Sequence, residues 1–221
     1  DAMQAGDYGQ IHTAEITWAL PLAPLRSGPY NLWLLRKPEN LLLELGPHLF
    51  AFAHDLFGPV TVTHAEAGHP VMLPGDDPRP QSFRILARAG HVNLLFQIAM
   101  VETVDDRSVT LRGSSARARL DYASDVLTVE RENAADLVMN PLRRQLDLSG
   151  QHLKNGLRNA WTQGRSLNTK NPYAQSFRGM DAAIYGAMAQ GRQDPSFSAD
   201  SAVAVMQAID DAITLLPDAA K

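Results

Sequence analysis

Apolar and polar residues alternate along IHTAEITWAL at 11–20, with Ile11, Thr13, Glu15 and Thr17 on one side and His12, Ala14, Ile16 and Trp18 on the other. A period of two predicts a strand. The preceding DAMQAGDYGQ reads as a helix end and a glycine turn. Residues 21–40 carry four prolines and the aromatics Tyr30 and Trp33, and read as a long loop with local structure. A helix is predicted over 45–57. Strand patterns follow at 59–67, 70–73, 82–89 and 91–100, with GDDPRP at 75–80 as a turn. In 91–100, Val92, Leu94, Phe96, Ile98 and Met100 share one face. DDRS at 105–108 reads as the end of that hairpin arm. SVTLRGS, ARARLDY and DVLTVERE extend the series to about residue 132, and their short polar turns predict antiparallel neighbours.

After residue 134 the period becomes helical. LVMNPLRRQLDL predicts a helix broken at Pro141. SGQHLKNGLRNAWTQG predicts another, with Leu153, Leu157, Ala160 and Trp161 on one stripe and Ser149 as its cap. Two further helices are predicted over 171–191 and 198–216, the last capped by Ser198. The order of strand, helix, strands and helices predicts an α+β fold in a single domain over 1–221. Its large, mainly antiparallel sheet would carry helices packed on one face. The other face must then be polar or pair with a partner.

Composition narrows the classes. The 221 residues are 45% hydrophobic and 20% charged, ordinary for a globular protein with a substantial core. A net charge of −4 offers no bulk basic signal for nucleic acid. Cysteine is absent, which excludes disulfides, thiol nucleophiles and thiolate metal sites and fits a reducing cytoplasm. No apolar run approaches the roughly 20 residues needed to span a membrane, and no signal peptide is visible at the start.

The candidate chemistry lies in LLLELGPHLFAFAHDLFG at 41–58. On a helix, Leu45, Leu49, Phe52 and Leu56 form one apolar stripe and Gly46, Phe50, Ala53 and Phe57 the next. A third stripe holds Glu44, His48, Ala51 and Asp55. Proline is tolerated only in a first turn, so Pro47 predicts a helix starting near Gly46 with Glu44 at its threshold. The helix dipole there favours an anionic Glu44 and a neutral His48. A carboxylate beside an imidazole makes a general-base pair. The same two residues also fit a structural His beside a capping Glu. A metal site is a third reading; it needs another ligand, and His54 falls on a different face.

This stretch resembles a motif of the Gfo/Idh/MocA family of NAD(P)-dependent oxidoreductases. There, an acidic residue is followed by Gly two later and His four later, on a helix ending in Leu-hydrophobic-Gly. Here the positions are Glu44, Gly46, His48 and Leu56-Phe57-Gly58. GDYGQIHTAEI at 6–16 resembles the Gly-x-x-Gly approach to that family's C-terminal domain. SVTLRGSSARARLDYASDVLTV at 108–129 resembles its late hairpin around a Gly, and residues 176–213 its closing helix pair, with Gly191, Pro195 and Asp200 in familiar places. Three positions depart from the pattern. Glu44 stands where Asp is usual, PEN at 38–40 replaces a Gly-Gly run, and Ala51 stands where a second Asp often lies. The family's Rossmann Gly-rich turn has no counterpart, since the chain contains no Gly-x-Gly. The Glu-Lys-Pro motif is also missing; Lys37-Pro38 lies elsewhere in the pattern and lacks the Glu. With Asp1 first, the resemblance implies that the N-terminal Rossmann domain lies outside this chain.

The resemblance further implies a role for each candidate. A hydride would pass between NAD or NADP and a carbinol carbon of a sugar, polyol or related small molecule. His48 would take the hydroxyl proton, Glu44 would orient His48, and a lysine of the missing domain would assist. Tyr30 and Trp33 would line the sugar pocket, or pack the loop. Arg143 would meet an anionic substituent, or belong with Arg144 to a solvated helix face. Alone, the chain is expected to bind no NAD(P) tightly and to be inactive, and to form homo-oligomers through the open sheet face. The competing reading is a stand-alone, non-enzymatic module of the same fold for ligand binding or assembly.

Overall fold

The computed structural model describes residues 3, 5–21, 28–29, 31–74, 77–131, 138–167 and 169–217. The strands are β1 (Ile11–Pro21), β2 (Thr61–Ala67), β3 (Pro70–Leu73), β4 (Asp77–Pro80), β5 (Ser82–Ala89), β6 (Val92–Ala99), β7 (Val101–Gly113), β8 (Ala116–Asp121) and β9 (Val126–Arg131). The helices are α1 (Trp33–Arg36), α2 (Glu39–Phe57), α3 (Met139–Arg165), α4 (Pro172–Ala189) and α5 (Ala199–Leu215), with a 3-10 turn at Pro195–Phe197 before α5. Seven strands hydrogen-bond in the order β2-β5-β6-β1-β7-β8-β9, and β3 pairs with β4 as a separate ribbon. β2–β5, β5–β6, β7–β8 and β8–β9 are antiparallel, while β1 runs parallel to β6. The fold is α+β with a mainly antiparallel sheet, as the sequence pattern predicts.

Four local expectations are corrected. DDRS does not end a strand, because β7 runs unbroken through it; Asp105 and Arg107, two apart and so on one side of the strand, pair with each other. The last four residues of GDDPRP are strand, with Met72 opposite Pro78 and Pro70 opposite Pro80. A two-stranded ribbon tolerates proline because outward N–H groups need no partner. The helix expected to break at Pro141 is continuous over 27 residues. Pro141 falls in its first turn, where a missing N–H costs nothing, and Ser149 lies mid-helix rather than at a cap.

The fourth correction concerns α2, which starts at Glu39 and carries Pro47 inside. Leu41 and Leu42 are 1% and 0% exposed. Burying them requires the helix to extend upstream, and that gain offsets the roughly 3 kcal/mol cost of an interior proline.

By contact density the chain forms two compact units. One comprises residues 13–107 and 195–221. Its core takes Phe50 and Ala53 from α2, Phe83 and Ile85 from β5, Phe96 and Ile98 from β6, and Ile209 and Ala212 from α5. The expected face of residues 92–100 is buried throughout. α2 and α5 approach closely at Gly46, where an added Cβ would lie 3.2 Å from Ile209 Cδ1. Of the predicted apolar stripes of α2, Phe52 is exposed, whereas Leu49 is buried. The sheet side facing away from this core is mostly polar, with Arg84, Arg88, Asn93 and Gln97 around the cross-strand pair Leu86 and Leu95. Ser198 caps α5 as expected, its hydroxyl accepting from Ser201 N at 3.1 Å.

The other unit comprises residues 1–12 and 108–194. Two of the quoted sequence motifs meet here. Tyr8 O accepts from Ser115 N at 3.2 Å and Gln10 O from Ser114 N at 3.0 Å. A Cβ on Gly113 would lie 2.0 Å from Tyr8 O, so only glycine fits. Gly9, at φ +67, is constrained both by that left-handed backbone and by Ser114.

In this unit α3 faces the edge strand β9 with its polar side. Gln151 accepts from Val129 N at 2.7 Å and donates to Val129 O at 2.9 Å. Asn155 donates to Leu127 O at 2.9 Å, and Asn159 to Ser124 O at 2.9 Å. Side-chain amides spaced four apart thus cover the open edge at β9 and the turn leading into it. The predicted stripe of Leu153, Leu157, Ala160 and Trp161 is exposed, as are Leu142 and Leu146. Gln151→Ala is expected to lower stability by about 1–2 kcal/mol. It should also speed hydrogen exchange at Val129 N–H while leaving exchange in β5 and β6 unchanged.

Candidate functional site

Glu44, His48, Ala51 and Asp55 are all exposed along one side of α2, as the third helical stripe predicts. The opposite side is anchored by Leu49, Phe50 and Ala53, each no more than 1% exposed, so the orientation of the stripe is set by the core. Because α2 begins at Glu39, Glu44 and His48 lie beyond its first turn, and the dipole argument made for a helix starting near Gly46 falls away.

The ring contact of His48 is with Trp18 of β1. Their centroids are 5.5 Å apart and their planes 15° from parallel. The same indole carries a guanidinium: Arg107 Cζ lies 5.6 Å from the Trp18 centroid. Asp105 holds Arg107 through Nε at 2.7 Å and through a second, closer contact at Nη2. Trp18 Nε1 is buried and finds no acceptor among the described residues. Glu44 makes no hydrogen bond to His48 among them. The site is therefore an exposed imidazole with one face on an indole and its nitrogens at the ring edge, an arrangement able to accept and return a proton.

The remaining candidates fall elsewhere. Tyr30 lies outside the described residues. Trp33 opens α1, 47% exposed, and its carbonyl accepts from the buried Asn40 side chain. No ring contact joins it to His48 among the described residues. Arg143 is on α3 and lines a cavity of about 460 Å³ with Glu130, Arg131, Arg144, Asp147 and Gln151. Glu130 there bridges Arg117 and Arg144. No group of three His, Asp or Glu side chains suited to a metal occurs among the described residues, which leaves the metal reading without its third ligand there. No helix among them is long and apolar enough to cross a membrane.

Trp18 and Arg107 were not singled out by sequence reasoning. Alternation places Trp18 on the face of β1 that also holds His12, Ala14 and Ile16. Its signal is a tryptophan near the end of a strand, following Ala14 and Ile16 on the same face. Nothing in the pattern marks Arg107, whose contact with Trp18 joins residues far apart in the chain.

No protein-family model matches the chain, and no curated protein sequence matches it. Solved structures do. The WlbA dehydrogenase from Bordetella pertussis, in complex with NADH and UDP-GlcNAcA, matches 97% of this chain with a TM-score of 0.57 at 11% identity. KijD10, a 3-ketoreductase from Actinomadura kijaniata in complex with TDP-benzene and NADP, matches 98% with a TM-score of 0.57 at 16% identity. Levoglucosan dehydrogenase, in complex with NADH and levoglucosan, matches 61% with a TM-score of 0.50 at 13% identity and 39% of its own length. The chain spans 56% of the length of the first two. These solved structures are Gfo/Idh/MocA-type NAD(P)-dependent dehydrogenases, and at 11–16% identity what this chain shares with them is the fold.

Proposed function

We propose that this chain is the substrate-binding and proton-handling part of an NAD(P)-dependent oxidoreductase acting on a CH–OH group of a sugar, polyol or related compound. The observation that supports this most is the exposed His48 at the motif position, on a helix face fixed by the core, in a fold shared with dehydrogenases at TM-scores near 0.57. The chain's own residues suit proton transfer and not dinucleotide binding, since no Gly-x-Gly turn is present. A nicotinamide held by a nucleotide-binding domain outside this chain supplies the hydride acceptor or donor. His48 removes the hydroxyl proton as the carbinol is oxidised, or returns it in reduction. Glu44, one helical turn away on the same stripe, adds negative charge beside the imidazolium. Trp33 offers an exposed aromatic face, and with Tyr30 would stack on sugar. Arg143 would meet an anionic substituent. Alone, the chain is inactive in this reading, and its location is cytoplasmic.

A second reading, a non-enzymatic assembly module, is favoured by the outward apolar stripe of α3 and by Leu86 on the open sheet side. Association of copies through that sheet side is compatible with both readings.

The test uses a polypeptide that joins this chain to a nucleotide-binding domain. Sugars and polyols deuterated at the carbinol carbon are expected to transfer deuterium to the nicotinamide. Tight cofactor binding without transfer from any of them would favour the assembly module.

A further inference from the structure

We infer that Trp18 is a positioning residue for His48, so that the imidazole is oriented from the sheet and not from its own helix. The inference rests on the proposed proton-handling role of His48 and adds the means by which its ring is held. A plane-to-plane angle of 15° at 5.5 Å is a stack and not an edge contact. Turning the imidazole about its terminal torsion would lose that face contact, and this torsion is otherwise broad and weakly restrained. The stack covers a face and leaves the ring edge, where both nitrogens lie, to a ligand. An indole face also attracts a cation, the form His48 takes when it holds the substrate proton.

Trp18 is itself held. Arg107 lies over its ring, and the Arg107 side chain is only 13% exposed, fixed by the fork of contacts to Asp105. A planar guanidinium bound on two of its nitrogens has little freedom left. The support therefore runs from Asp105 and Arg107 on β7, through Trp18 on β1, to His48 on α2. All four residues belong to one compact unit. Glu44, the residue placed by sequence to orient His48, has no hydrogen bond to it among the described residues.

The experiment is NMR of the histidine side chains in this 221-residue chain, with His48→Gln identifying the His48 signal among seven histidines. The His48 ring protons are expected to be displaced upfield by the indole. In Trp18→Leu the displacement should vanish and ring relaxation should report freer motion, while Trp18→Phe should retain part of both effects. Arg107→Gln leaves the indole in place and is expected to loosen the His48 ring partially, which provides a second route should Trp18→Leu not fold. Unchanged His48 signals in Trp18→Leu, or identical loss in the Leu and Phe variants, overturn the inference. So does an Arg107→Gln ring as restrained as wild type. None of these readouts needs turnover: if the stack is confirmed and His48→Ala still turns over normally when joined to a nucleotide-binding domain, it is the proposed function that fails.

Discussion

His48→Ala, in a polypeptide joining this chain to a nucleotide-binding domain, is expected to lower kcat by about 10²–10⁴-fold, the contribution of a positioned general acid–base. kcat/KM should fall with it and the affinity for NAD(P) should stay the same. The reasoning is that His48 interacts with the transferring proton in the transition state and makes little ground-state contact. Its exposed place on α2 makes the substitution structurally mild, so a loss of rate cannot be ascribed to unfolding. Glu44→Gln should cost much less, because its carboxylate has no hydrogen bond to the ring and acts only through charge. Steady-state kinetics at saturating cofactor would separate the two variants. Turnover of His48→Ala near the wild-type rate would remove His48 from the mechanism.

The contrast between these two residues shows what was readable from sequence. Helical periodicity alone placed Glu44, His48, Ala51 and Asp55 on one exposed stripe, because the opposite stripe is dense in Leu, Phe and Ala. It could not place the start of α2. Pro47 is a strong local signal for a helix beginning, and it lost to the burial of Leu41 and Leu42, a tertiary effect that no window around the proline contains. The strand faces of residues 92–100 were legible for the same reason as the stripe: alternation reports burial directly. The continuity of β7 through Asp105, Asp106 and Arg107 was not, because a charged run has the composition of a turn, whereas its extended form follows from its place between β1 and β8 in the sheet, with Arg107 paired to Asp105 and set over Trp18.

α3 shows a different limit. Its apolar stripe was visible, and amphipathic reasoning assumes that such a stripe faces the nearest sheet. Here the amides of Gln151 and Asn155 satisfy the backbone of β9, that of Asn159 the turn before it, and the stripe points away. An edge strand with unpaired N–H and C=O groups is a polar surface, and a polar helix face can compete for it. Strand order decides which strand is an edge, and strand order is not written in a single sequence. The site has the same character. His48 was found through a local motif, whereas Trp18 and Arg107 enter it only through the adjacency of three elements.

The stability of that adjacency depends on Phe96, and Phe96→Ala is expected to destabilise the unit containing α2 by about 3–5 kcal/mol. Phe96 is 0% exposed and lies on β6 between Ile85 of β5 and Ile16 of β1. Its ring stacks on Phe50 of α2, with centroids 4.2 Å apart and planes 14° from parallel. Truncation removes the largest side chain on that strand and leaves a cavity walled by aromatic and branched residues that sheet pairing keeps from collapsing. Phe96→Leu should recover much of the loss, since it restores volume without the stack. Urea unfolding followed at Trp18 reads the change as a lower midpoint at similar slope. The same variant should loosen the His48–Trp18 stack before global unfolding, because α2 and β1 both lean on Phe96. A Phe96→Ala midpoint within about 0.5 kcal/mol of wild type, the range of a neutral surface change, would mean that α2 is not held to the sheet through this ring pair.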